Sequence, residues 1–417
     1  MLFKHWYLFR SLSSGILQLS FILFMLVLVE GIIWYILPPY LEKSVGLEVA
    51  GIILASYGVS SFLTQLPAGD LADKINRKFT FILGVLIFIL SLVVLLFFKS
   101  SFGLFIFMCL LGCGSTLISV GSFNTVMDLS KSNLGGEVAG IYSTFNALGW
   151  ALGSIFGGII LYFLDVSSFV KITLFIIFLI LLWVILNYPE KKNFKFLDLF
   201  KSVRILNHDR LYLKELSAIS HLKLLFFAFT FFSFAFGFYE YTMWTAEPIY
   251  MASIGANVIL GGLILSLTTF PYLFFSYFVG YLTDKVGWRL IVIFGIIMIL
   301  FAHLYFIFFS SSSLWELTFT FLFVSLGSVF TFIPFDAYVR ANIKKGLRAE
   351  SFGFSGTLYD CGGIVAPLML GLVGGDIVDF RKVFLGTFVI FLISGILLLY
   401  FILHHKFKYK NSKIHFL

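Results

Sequence analysis

Apolar residues in this chain gather in unbroken stretches of about 20, the length a helix needs to cross a hydrocarbon layer roughly 30 Å thick. Scanned with a window of about 19 residues, the sequence predicts twelve spanning helices, near 15–40, 49–70, 79–98, 102–128, 138–162, 167–188, 222–250, 257–282, 289–309, 314–340, 351–376 and 381–404. An even number of spans puts both termini on one side. The first run carries Glu30 and ends in Leu37, Pro38 and Pro39 with no small-residue cleavage site, so it reads as a retained span and not a signal peptide. The expected class is an all-α membrane protein.

Composition narrows the function. The 417 residues are 60% hydrophobic and 12% charged, against about 25% charged in a soluble domain, which argues against a water-soluble enzyme. The longest stretch outside the apolar runs, 188 to 221, is too short to fold alone. Cys109, Cys113 and Cys361 fall inside apolar runs, where they read as small packing residues. Neither a disulfide framework nor a zinc site is expected from them, and no cofactor is implied.

Charge sets the expected orientation. Of the 29 Lys and Arg residues, all but Lys43, Lys99, Lys171, Arg381 and Lys382 lie in segments on the side of the termini. Basic residues concentrate on the cytoplasmic face, so the termini are expected there, in a prokaryotic plasma membrane. The net charge of +8 then faces anionic lipid and requires no nucleic-acid partner. Between bundles at 1–188 and 222–404, the segment 189–221 mixes Phe194, Phe196, Leu197, Leu199 and Phe200 with Lys195, Lys201 and Arg204. It reads as a linker whose amphipathic helix lies on the inner leaflet; residues 405–417 form a cytoplasmic tail.

The two halves overlay with an offset of 210 to 213 residues. Glu30, Trp34, Pro38, Tyr40 and Gly51 meet Glu240, Trp244, Pro248, Tyr250 and Gly261; Gly69, Leu71, Asp73 and Lys74 meet Gly280, Leu282, Asp284 and Lys285; Glu137, Gly140 and Gly149 meet Glu350, Gly353 and Gly362. Duplicated six-span halves imply a pseudo-two-fold axis along the membrane normal and a cavity between bundles that opens alternately to each side. Spans near 79–98, 167–188 and 381–404 are almost uniformly apolar and suit lipid-facing positions. His303 in the ninth span reads as snorkelling or bonded to a neighbour.

The run Gly69-Asp70-Leu71-Ala72-Asp73-Lys74-Ile75-Asn76-Arg77-Lys78 resembles the loop motif of the major facilitator superfamily, G-x-L-a-D-r-x-G-r-k, in its place between spans two and three. A weaker copy runs from Gly280 through Asp284 to Gly287 and Arg289 between spans eight and nine. The resemblance covers essentially the whole chain and implies a twelve-helix transporter in two six-helix bundles, monomeric by default. Its motif implies a cytoplasmic gate, with Gly69 and Gly280 permitting close helix approach and Asp73 capping a helix or pairing with Arg77 or Lys74. Asp128 and Glu137 are candidate partners, with Asp284, Arg289 and Glu350 in the second half; solvated loop charges that only set topology are the plain alternative.

In the fifth span Gly140, Gly149, Gly153 and Gly157 follow a spacing similar to the antiporter motif of drug/proton exchangers, with Ser154 where that motif has proline. The eleventh span repeats it as Gly353, Gly362, Ala366 and Pro367. Close helix packing explains these glycines equally well. The fourth span lacks the arginine that proton antiporters of the family usually carry, so acids alone would carry any protons.

A carboxylate near mid-bilayer costs roughly 2.5–3.5 kcal/mol on insertion scales and normally faces a cavity or a partner. Glu30 and Glu240 are therefore the first candidates for substrate contact or proton carriage. Trp34 and Trp244, one turn later on the same face, can stack on a cationic or aromatic substrate. The alternative makes the glutamates hydrogen-bonded packing residues and the tryptophans interface anchors. Glu247, nearer the outside, either attracts cations or is simply wet. Asn124, Asn146, Asp336 and Asp360 form a second tier. The expected function is alternating-access transport of a small organic solute coupled to protons, with export of cationic or amphiphilic compounds favoured. A nutrient importer, or a non-transporting receptor or lipid-handling protein, are the competing readings. No nucleophile-base pair, metal cluster or phosphate loop suggests an enzyme.

Overall fold

The structure, a computed structural model, describes residues 14–129, 135–189, 224–309, 314–342, 348–373 and 380–405. The predicted linker helix and the tail from 406 onward fall outside the described residues. Among those described, thirteen helices occur. They are α1 (Ser14–Val45), α2 (Leu47–Lys74), α3 (Arg77–Phe97), α4 (Ser101–Leu129), α5 (Gly135–Phe163) and α6 (Val166–Asn187) in the first half. The second half holds α7 (Leu224–Ser253), α8 (Val258–Leu267), α9 (Phe270–Val286), α10 (Trp288–Phe309), α11 (Leu314–Asn342), α12 (Arg348–Val373) and α13 (Phe380–His405).

Twelve spans result, because α8 and α9 are two pieces of the eighth. The sequence predicts one helix there; the structure breaks it at Thr268 and Thr269. Pro271 explains the break, since it has no N–H for the Leu267 carbonyl and its ring crowds that turn. The hydroxyls of Thr268 and Thr269 donate to the Leu265 and Ser266 carbonyls at 2.6 and 2.8 Å, which also accept from the N–H groups of the same two threonines, so the polar groups of both threonines stay paired at membrane depth. The first span runs five residues past its expected end, through Pro38 and Pro39 to Val45, with Leu37 and Leu41 buried to hold its last turns.

Helix packing repeats between the halves. Gly84 and Gly114 bring α3 against α4, and Gly295 and Gly327 bring α10 against α11: a Cβ on Gly84 would stand 2.9 Å from the Gly114 carbonyl oxygen, and one on Gly327 would stand 2.8 Å from that of Gly295. In the first half α1 meets α5 through Gly31 and Gly153, where a Cβ on either would lie 3.2 or 2.8 Å from the other's Cα. In the second, α7 meets α12 through Gly237 and Gly362. Without hydrophobic drive between helices in lipid, such backbone approach is what holds a bundle together. Spans α6, α10 and α13 turn Phe175, Phe178, Phe301, Phe308 and Leu403 outward, as lipid-facing helices must.

Between the halves, α2 packs on α12 and α5 packs on α8. A Cβ on Gly51 would sit 2.5 Å from the Pro367 carbonyl oxygen and 3.0 Å from the Gly371 Cα. Across the pseudo-symmetry axis, Gly262 presses against the Ser154 carbonyl and Gly158 against that of Val258. The contacts thus pair Gly51 with Gly262, one position from the Gly261 that the sequence overlay suggests. They also show what Ser154 and Pro367 share: each offers its carbonyl to a facing glycine.

Candidate functional site

Glu30 lies mid-way along α1 and is 6% exposed. Its Oε1 accepts from the Tyr57 hydroxyl of α2 at 2.5 Å and the Ser115 hydroxyl of α4 at 2.9 Å. Three spans of the first half therefore meet at one carboxyl. Glu240 of α7 is held in the same manner, its Oε2 accepting from the Tyr359 hydroxyl of α12. Buried tyrosines need such partners for their hydroxyls. Here each anchors an acid.

An aromatic wall joins the two acids. Trp34 packs edge-on to Tyr57 and to Tyr241 of α7, with ring centroids 5.1 and 5.8 Å apart. Tyr241 continues to Tyr359 at 5.6 Å. Trp244 does not join this wall; it meets Trp150 of α5 at 4.6 Å across the half interface. Asp360 is 5% exposed and accepts from Ser61 at 2.9 Å, a bond between halves that Ser61 extends to Thr116 at 2.8 Å. Beside Glu240 and Trp244, a cavity of about 30 Å³ reaches the break between α8 and α9.

Other sequence candidates sit elsewhere. The Asn124 carbonyl accepts from Arg77 at 2.8 Å, nine residues, or about 13 Å at 1.5 Å per residue, along α4 from Ser115. Asn124 thus belongs with the motif cluster and not with the acids. Asp336 lies beside Phe335 and Tyr338, which pack on Trp288 near the termini face. Asn146 is half-buried on α5. His303 is fully buried, not snorkelling: its Nδ1 lies 2.8 Å from the Ile299 carbonyl and its ring packs against Phe384 and Phe391.

The motif residues form a cluster inside the first half. Arg77 pairs with Asp128 of α4 and, at 3.5 Å, with Asp73 of α2. Asn76, where the motif has glycine, accepts from the Phe79 N–H at 2.9 Å and caps α3. The second copy keeps its glycine, Gly287, at φ 92°, a left-handed conformation glycine adopts freely. Lys285 there lies over Tyr281 at 4.6 Å and Arg289 over Trp288 at 5.8 Å. Gly69 and Gly280, expected to permit close approach, have nothing among the described residues within 4 Å of a Cβ, and the same holds for Gly140. The side chains of Lys74, Glu137, Asp284 and Glu350, and the packing of Gly353, lie outside the described residues.

Contacts between the halves run from Gly51 and Gly371 near the face away from the termini to Gln65 and Gly356, where a Cβ on Gly356 would stand 2.8 Å from the Gln65 amide nitrogen. Beyond that come the open glycines just named. Tyr35 of α1 closes the far face, donating to the Val258 carbonyl of the second half at 2.5 Å. Of the antiporter-like glycines, Gly149, Gly153 and Gly157 pack α5 on α1 through Val27, Gly31 and Tyr35.

Glu247 is not at the surface. It is fully buried, and neither of its oxygens has a hydrogen-bond partner among the described residues. Burying an unpaired polar group costs about 1–3 kcal/mol by protein mutational measures, so Glu247→Met is expected to stabilise the protein by about that amount. Thermal unfolding in detergent checks it. An unchanged or lowered midpoint would show that Glu247 has a partner such as bound water.

Duplicated six-span halves around a carboxyl-bearing interface, sealed on one face, define the class: an integral membrane transporter. The model of the Major Facilitator Superfamily matches residues 19–247 and 229–415, so the chain belongs to that superfamily. It is 20% identical over 363 residues to an uncharacterized MFS-type transporter of Methanocaldococcus jannaschii, covering 83% of this chain and 87% of that protein. In fold it is similar to the nucleoside transporter NupG, with a TM-score of 0.66, 14% identity, and 93% and 99% of the two chains covered. It is also similar to a POT family transporter solved with 5-aminolevulinic acid, with a TM-score of 0.70, 13% identity, and 94% and 96% covered.

The sequence singled out the acids but not their partners Tyr57, Ser115, Tyr359 and Ser61, nor Tyr241 and Trp150. Tyrosines inside apolar spans were the available signal, because each buried hydroxyl demands an acceptor.

Proposed function

We propose that this transporter moves a small cationic or amphiphilic organic solute by alternating access, exchanging it for protons carried by Glu30 and Glu240. The observation that carries this reading is the pair of mid-span carboxyls, one per half, each held by a tyrosine and joined by the Trp34–Tyr241–Tyr359 wall. Carboxyls at membrane depth mark ion and substrate pathways, and a cation competes with a proton for the same charge. The central parts of the spans hold no Lys or Arg, so a phosphate or carboxylate solute would find no counter-charge. The distribution of basic residues supports termini in the cytoplasm of a plasma membrane. The far-face seal then belongs to an inward-open state of a protein that works as a monomer. Arg77, with Asp73 and Asp128, would exchange partners as the cytoplasmic ends of the halves close.

The test is solute-driven proton movement. Protein in liposomes containing a pH-sensitive dye is given organic cations, amphiphiles, sugars and amino acids in turn. Proton flux triggered by cations or amphiphiles alone supports the reading. Flux driven only by neutral or zwitterionic solutes retires the cation, and labelled solute crossing without any proton movement retires the coupling.

A further inference from the structure

The cavity beside Glu240 gathers several oxygen acceptors around one carboxyl. It lies within the second half, between α7, the break in the eighth span and α11. Thr268 and Thr269 direct their hydroxyl hydrogens to the Leu265 and Ser266 carbonyls, and Ser325 of α11 directs its own to the Thr268 carbonyl. What these three present to the cavity are oxygen lone pairs. Glu240 has one oxygen occupied by Tyr359 and the other unassigned. Tyr272 lines the same space, and its hydroxyl can both donate and accept. The spare lone pairs of the three hydroxyls and the carboxyl of Glu240 suit an occupant that brings donors and positive charge.

The walls narrow the choice. Tyr239, Trp244 and Tyr272 contribute three aromatic rings, whose faces attract cations and organic ammonium groups in particular. A volume of about 30 Å³, where about 10–15 Å³ admits one water, suits a single ammonium head group. The break in the span supplies what an unbroken helix cannot, namely polar backbone and hydroxyls facing a cavity at membrane depth.

We propose that this cavity is an ammonium subsite, in which Glu240 and the Thr268, Thr269 and Ser325 oxygens receive the N–H donors of an organic amine against Trp244 and Tyr272. The proposal deepens and rests on the cation-transport reading above, and it assigns the substrate's charged group to the second half alone.

Butylammonium, with butan-1-ol as its neutral counterpart and butyrate as its anion, would be titrated into purified full-length protein while thermal stability is followed. Sodium and potassium chloride at matched ionic strength are a separate arm. Butylammonium alone should stabilise. Its apparent affinity should fall at least about tenfold in Glu240→Gln, because a charge-assisted bond is lost, and by a smaller factor in Tyr272→Phe, which keeps the ring. Asp165→Asn, removing an exposed acid, should leave it unchanged. Should Glu240→Gln fail to fold, Trp244→Leu serves in its place with the same expected loss. Equal stabilisation by butan-1-ol, ammonium affinity that survives Glu240→Gln, or a Glu240-dependent shift with sodium alone would each overturn the subsite. Ammonium binding without proton flux keeps the subsite and retires proton coupling; flux with a neutral solute and no ammonium binding does the reverse.

Discussion

Valine at Gly51 or Gly262 is expected to wedge the two halves apart on the face away from the termini. A Cβ at Gly51 would stand 2.5 Å from the Pro367 carbonyl oxygen, and Gly262 is pressed in the same way against that of Ser154. These neighbours are backbone atoms of the facing half, so no side chain can swing aside. Overpacking of this kind costs about 1–3 kcal/mol, equivalent to a shift of about 5- to 150-fold in a two-state equilibrium. The cost falls only on the state in which this face is closed, because the contact is absent when the halves part there.

Spin labels on cysteines placed at Lys43 and Ser253, in a background lacking Cys109, Cys113 and Cys361, would report that separation. The distance distribution should move to longer values in either variant, and further when both are combined. Gly153→Val is the control. Its clash with Gly31 and Leu28 lies inside the first half, so it should lower thermal stability without favouring either state. A wedge variant that loses stability while its distances stay put would show that the far-face contact is not the one that changes.

That pair of contacts also shows how far the sequence could be read. Apolar runs of spanning length, the repeat, and carboxyls at Glu30 and Glu240 are all visible in one dimension, because membrane depth makes each of them expensive or necessary. Gly84 and Gly295, or Gly114 and Gly327, obey the same repeat, but their meaning appears only once the helices touch. The break at Thr268 was written in Pro271 and the two threonines before it, yet the hydropathy of the stretch stayed high and hid it. Partners were the least legible part. Ser61 and Asp360 are 299 residues apart in sequence, and with 55 Phe and 19 Tyr in the chain nothing local distinguishes Tyr57 or Tyr359 from apolar filler. Asn124 stood with Asp336 in the second tier of site candidates, and the structure brings its carbonyl to Arg77.

Glu30→Gln is expected to abolish uphill movement of solute while sparing exchange. The amide keeps the size of the side chain, and its oxygen can still accept from Tyr57 and Ser115, so α1, α2 and α4 remain tied. What disappears is the ability to gain and lose a proton. If one proton is exchanged per solute cation, each unit of pH gradient, about 1.4 kcal/mol, sustains about a tenfold concentration ratio; without the proton that ratio falls to one. Swapping labelled for unlabelled solute at equal pH needs no proton and should continue, with its dependence on pH flattened. Glu30→Ala separates charge from architecture, because it also strands two buried hydroxyls at about 1–3 kcal/mol each and should fail in both assays. Uphill accumulation that persists in Glu30→Gln would remove Glu30 from the proton path and leave Glu240 or Asp360 to carry it. Accumulation and exchange lost together, in a variant whose thermal stability matches the wild type, would instead mark Glu30 as a contact that the solute itself requires.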